Sequence, residues 1–114
     1  MIYDYEPEIK IIQFPDGKSA KILETLPTVS TNRVAEWLEL PPVRFCVAVH
    51  GGASDMSAEY QQKMRSLLSN SLIRFAEDNR ALIADGGTDT GIMHVMGDAY
   101  RDFGASFPLI GITV

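Results

Sequence analysis

Apolar residues recur along this chain in two rhythms. Some lie in short alternating or continuous runs, and others repeat every three or four positions over longer stretches. The first rhythm predicts strands and the second predicts helices. Ile9–Phe14 and Ser19–Thr25 read as two strands separated by the turn signal Pro15-Asp16-Gly17-Lys18, so a β-hairpin is expected. Its expected role is structural, pairing with a sheet edge or covering one. Leu26-Pro27 breaks the pattern. Ser30 or Thr31 can then cap a short helix with Val34, Trp37 and Leu38 at helical spacing, stopped by Pro41-Pro42. Trp37 is expected to pack in a core or under a lid.

Phe45–Val49 (FCVAV) is nearly continuous in apolar residues, as in a parallel strand buried on both faces. A long helix is expected over 57–79, with Tyr60, Met64, Leu67, Leu68, Ser71 and Phe75 as its apolar stripe. Ala81–Ala84 reads as a second buried strand. The next helix runs to about Phe103, with Ile92, Met96, Ala99, Tyr100 and Phe103 on one side and Gly97 suited to close packing. Gly104 is placed to end it in a left-handed cap. Pro108–Val114 (PLIGITV) is a third strand. Strand–helix–strand–helix–strand makes two βαβ units, whose right-handed crossovers render the three strands parallel. The expected class is therefore α/β, a Rossmann-like three-layer arrangement on a parallel sheet of at least three strands, plus the N-terminal hairpin. Residues 1–43 read as an appendage and 44–114 as the Rossmann-like domain. Because an apolar strand ends the chain with no loop after it, the domain is expected to be incomplete, the first half of a larger one.

Two of these strands run into glycine turns that lead into helices. The turns are His50-Gly51-Gly52-Ala53-Ser54 and Asp85-Gly86-Gly87-Thr88-Asp89. In a parallel sheet both leave the carboxyl ends of strands and share one rim, where open α/β sheets take ligands. A helix start there aims free N–H groups and the positive end of its dipole at an anion such as phosphate or carboxylate. Glycine reaches backbone angles closed to other residues and lets an anion approach the backbone. Thr88 and Asp89 are good N-cap residues. The plainer alternative is that both are only tight turns, their helix starts satisfied by Ser54, Thr88 and Asp89.

Composition narrows the choice. The formal net charge of −5 argues against a surface that tracks nucleic acid phosphates, which needs clustered Lys and Arg. A small anion is still admissible, because local amides can outweigh a distant net charge. No apolar run approaches the roughly 20 residues that span a bilayer, and the acidic N-terminus has no signal-peptide pattern. The single cysteine, Cys46, excludes an internal disulfide and suits a reducing, cytoplasmic setting. It is expected to be a buried structural thiol. His50 and His94 lack the spacing of a metal site, and no metal or other cofactor is expected.

HGGAS, the long helix, IADGGTDTGIMHVMGDA and PLIGITV together resemble the SLOG superfamily of Rossmann-like nucleotide-binding domains. That superfamily includes the Lonely Guy phosphoribohydrolases and the DNA-processing protein DprA. The nearer likeness is to the branch found at the cytoplasmic N-terminus of TRPM channels and in its prokaryotic relatives. The matching positions are Gly51, Gly52, Ala53, Gly86, Gly87, Thr88, Gly91, Met93, Gly97 and Ala99, and the resemblance covers about 44–114.

The resemblance implies a nucleotide ligand, since some TRPM domains bind ADP-ribose. Gly86, Gly87, Thr88 and Gly91 would contact phosphate, while Gly51, Gly52, Ala53 and Ser54 would line the opposite wall. Asp89 is an N-cap or accepts from ribose hydroxyls, and Asp85 either does the same or makes a structural hydrogen bond. His50 is a donor to ribose or base, or a satisfied turn histidine. The leading expectation is a cytosolic sensor domain for an NAD-derived nucleotide. One alternative is a nucleotide N-glycoside hydrolase whose acid/base half lies elsewhere, with Asp85 and Asp89 as the only carboxylates available here. Another is an interaction or homo-oligomerisation module using an open sheet edge.

Overall fold

The computed structural model describes residues 7–51 and 56–113. They divide into a unit over Met1–Leu40 and a unit over Pro41–Val114. In the first, alternating apolar residues form β1 (Ile9–Gln13) and β2 (Ser19–Leu23), an antiparallel pair with Ile9 opposite Leu23. Gly17 takes a φ of +86° in the turn, and Asp16 Oδ1 accepts from the Lys18 N–H at 3.0 Å. The hairpin is a two-stranded sheet of its own. Ser30 caps α1 (Thr31–Trp37) by accepting from the Arg33 N–H at 3.4 Å. Trp37 is half-buried, with the Arg33 guanidinium 5.3 Å from its ring centroid.

The second unit is built on a three-stranded parallel sheet in the order β3 (Phe45–Ala48), β4 (Ala81–Asp85), β5 (Leu109–Gly111). Cys46 pairs with Leu82 and Ala84 with Ile110, so β4 is central. Two right-handed crossovers stepping the same way across a sheet place their helices on the same face. The helices α2 (Ala58–Leu68), α3 (Arg74–Asn79) and α4 (Gly91–Phe103) accordingly share one core with Ala81, Ile83, Ala105 and Phe107. Among the described residues no helix is long and apolar enough to cross a membrane.

Several expectations fail here. β3 is an edge strand and only Val47 in it is even half-buried, so it is not covered on both faces. Cys46 is correspondingly exposed rather than a buried structural thiol. The helix expected over 57–79 is interrupted by a π turn at Ser69–Ile73. A π turn inserts one residue into the helical repeat and rotates everything after it. Met64 and Leu68 face the core as expected, but the buried set then continues through Ile73 and Ala76. Tyr60, Leu67, Ser71 and Phe75 are exposed instead. The Ser71 hydroxyl donates to the Leu67 carbonyl at 2.6 Å inside this turn, a local bond that competes with the regular ladder. Gly104 does end α4 in the left-handed region, at φ +72°. Gly97 has open space where a side chain would go, so it is not a close-packing position.

Glu77 on α3 ties the helical layer to the segment before β5. Its carboxylate accepts from the Ser106 N–H at 2.8 Å, the Phe107 N–H at 3.2 Å and the Ser106 hydroxyl. Burial alone would raise its pKa, but the hydroxyl and N–H bonds to the ionised form together prevail and hold it below the usual value. A depressed folded-state pKa gives stability that is complete above the unfolded value of about 4.3 and is lost as pH falls through the folded one. The stability lost in Glu77→Gln, measured by urea denaturation at pH 7, should therefore shrink as the pH is lowered below about 4. Ile83 is 0% exposed at the centre of the core. Ile83→Ala should cost about 2–5 kcal/mol in the same assay, whereas Ile112→Ala, at a side chain 69% exposed, should stay within about 0.5 kcal/mol of wild type.

Candidate functional site

β3 and β4 are parallel neighbours, so the chain leaves both at the same end of the sheet. The two turns meet there in a cleft of about 250 Å³. Val49, His50 and Gly51 line it from the first turn, Gly86 and Thr88 from the second, and Met93 from the start of α4. Gly52, Ala53 and Ser54 lie outside the described residues.

Packing around the cleft opposes a side chain at Gly51, Gly86 and Gly87 to different degrees, least at Gly86, where the neighbour is a flexible methionine. A Cβ on Gly51 would lie 2.5 Å from Cγ2 of Ile92, a β-branched side chain with little freedom to withdraw. A Cβ on Gly86 would lie 2.7 Å from the Met93 sulfur. Gly87 has φ +72°, and a Cβ there would stand 3.0 Å from the Gly111 carbonyl carbon. The second turn therefore rests on β5 backbone to backbone. Asp85 Oδ1 accepts from the Gly87 N–H at 2.9 Å, and the Asp85 carbonyl accepts from the Ile112 N–H at 2.9 Å. Of the two roles expected for Asp85, the geometry displays the structural bond. The Gly87 N–H, expected to face phosphate, is already used by it.

The start of α4 differs from expectation. Its N-cap is Thr90, at φ −140° and ψ 157°, rather than Thr88 or Asp89, and its side chain makes no capping hydrogen bond. The first helical bond runs from the His94 N–H to the Thr90 carbonyl at 3.3 Å. The N–H groups of Gly91, Ile92 and Met93 precede that bond and have no acceptor within the helix. Gly91 is buried and takes φ +56° as the chain enters the helix. The Thr88 hydroxyl lies 3.2 Å from the Thr90 hydroxyl and 3.3 Å from the Met93 sulfur, holding the loop against the first turn.

Asp89 turns away to His94. Its Oδ1 is 2.6 Å from His94 Nδ1, while His94 Nε2 is 3.2 Å from Asp98 Oδ2. Asp98 also meets Arg65 Nη2 at 3.7 Å and Arg101 Nη2 at 3.3 Å, and Asp102 meets the same two arginines. The hydrogen bond with Asp89, followed by the charge of Asp98, raises the His94 pKa against opposition from burial and Arg65. The spacing that argues against a metal site at His94 does not single out Asp98. Their i,i+4 separation was the legible signal. No cluster suited to a metal occurs among the described residues.

Gly87→Ala should cost more than about 1 kcal/mol, because the left-handed angle and the β5 backbone both oppose a Cβ. Gly97→Ala, in open space within α4, should instead gain about 0.5–1 kcal/mol. Urea denaturation of the two variants side by side checks both.

Residues 44–114 match the family described as SLOG in TRPM, prokaryote. Over 70 residues the chain is 39% identical to transient receptor potential cation channel subfamily M member 1 of Mus musculus. That match takes in 60% of this chain and 4% of the mouse protein, so the chain spans only a small part of the curated relative's length. A parallel βαβαβ unit with two glycine turns on one rim, together with the match over 44–114, shows that the chain belongs to the prokaryotic LSDAT family of SLOG domains.

Proposed function

We propose that the domain is a cytosolic sensor that binds an NAD-derived nucleotide such as ADP-ribose at this cleft. The observation that carries the reading is the start of α4 beside the cleft. Three N–H groups precede the first helical bond, the N-cap hydroxyl does not cap them, and a thirteen-residue helix adds its dipole. A phosphate would accept from the amides of Gly91–Met93 and from the Thr88 hydroxyl, passing close to Gly86. Ribose or base would lie towards His50 and Gly51. The cleft, at about 250 Å³, falls below the roughly 300–1,000 Å³ of pockets that enclose a drug-sized ligand. That size suits the phosphate and ribose portion, with the remainder of the nucleotide lying outside.

Binding fits the carboxylates better than hydrolysis does. A glycosidic cleavage needs a carboxyl group directed at the anomeric carbon. Asp85 is engaged with the Gly87 N–H and Asp89 with His94.

A thermal-shift series with ADP-ribose, AMP and NAD tests the reading. A ligand at 100 times its Kd adds about 2.7 kcal/mol to native stability, which is a clear rise in Tm for a domain of this size. Thr88→Glu places a carboxylate at the cleft without touching the core. It should fold normally and lose the shift. An absence of any shift with wild type, or a full shift with Thr88→Glu, would refute the placement.

A further inference from the structure

His94 is held between two carboxylates, one on each ring nitrogen. A neutral imidazole has one N–H and one lone pair, so either tautomer leaves a lone pair facing a carboxylate. Only the imidazolium donates to both. The two carboxylates differ in their freedom to move. Asp98 is 17% exposed and is tied to Arg65 and Arg101, whereas Asp89 is 91% exposed in the loop just before the α4 N-cap. A ring that loses its proton therefore keeps the N–H on Nε2 towards the fixed Asp98 and turns a lone pair to Asp89, which can leave. Two residues on from Asp89 begin the N–H groups of Gly91–Met93 that head α4, where an anion is favoured.

We propose that His94 is a positioning residue: as imidazolium it holds the Asp89 carboxylate clear of the α4 N-terminus, and on losing its proton it frees that carboxylate to occupy the place of an anionic ligand. The consequence for affinity rests on the nucleotide reading above, while the clamp itself does not.

Among the described residues the charged groups facing His94 are Asp89 from the preceding loop, Asp98 from α4 and Arg65 from α2, with Arg101 and Asp102 behind them. The Asp89 hydrogen bond and the Asp98 charge lift its pKa above the ordinary value of about 6.5. A raised value keeps the clamp closed at lower pH and opens it as the pH climbs through the folded-state pKa. The nucleotide should thus bind more tightly on the acid side.

The test uses the whole chain labelled with ¹⁵N. The His94 ring and the backbone amides of Gly91, Ile92 and Met93 are followed by NMR between pH 5.5 and 9 in wild type and in Asp89→Asn. The clamp requires His94 to titrate above its ordinary value in wild type and lower in Asp89→Asn. The three amides must move with the wild-type ring midpoint and lose that step in the variant. A ring titrating at the ordinary value, or an amide step that persists in Asp89→Asn, overturns the clamp. The diphosphate of ADP-ribose does not titrate over this range, so its Kd at both ends reads the consequence. Wild type should bind about fivefold or more weakly at pH 9, and Asp89→Asn equally at both. A wild-type affinity independent of pH overturns the coupling to ligand. If ADP-ribose binds at no pH, the nucleotide reading falls, and the ring and amide titrations still decide the clamp.

Discussion

Three neighbouring strands that run in the same direction cannot be joined by tight turns. Each must return through a crossover, and the handedness of crossovers is nearly invariant. From β3–β4–β5 order alone it follows that α2, α3 and α4 share one face and that every strand-to-helix turn opens at one rim. The burial of Ile83, Val95, Met96 and Phe107 is what holds that arrangement together. The cleft is thus a by-product of topology before it is a site. Its chemistry comes from what the two turns contain.

An acidic chain can present an anion-attracting spot only if its own carboxylates near that spot are already spoken for. At this rim the nearby carboxylates are engaged in separate local bonds. Asp85 closes a small turn on the Gly87 N–H, and Asp89 bends back to His94. Asp98 and Asp102 are matched by Arg65 and Arg101. Exposed pairs of this kind add little stability. They do engage the carboxylates that stand near the start of α4.

Much of this was legible in the amino-acid sequence, because parallel strands and strand-to-helix glycine turns leave strong local patterns. The meeting of His50, Gly51, Gly86 and Thr88 around one cleft follows from that reading alone. What escaped was set by non-local or sub-turn detail. FCVAV is as apolar as a doubly covered strand, yet its place at the sheet edge, which no local pattern encodes, exposes Cys46. A stripe counted at a constant helical period loses phase at Ser69–Ile73, so Phe75 was read as core where Ala76 is. Thr88 and Asp89 are as good capping residues as Thr90, and only the path of the loop chooses between them. The glycine at position 87 signalled ligand approach, but its missing side chain makes room for β5.

That last contact has a mechanical side. With Gly87 seated on Gly111 and the Ile112 amide tethered to the Asp85 carbonyl, the lip and the last strand form a single lever. Whatever tugs on the polypeptide downstream of β5 tugs on the mouth of the cleft as well. The mouth of the cleft and β5 are joined through backbone alone, with no relay of side chains between them.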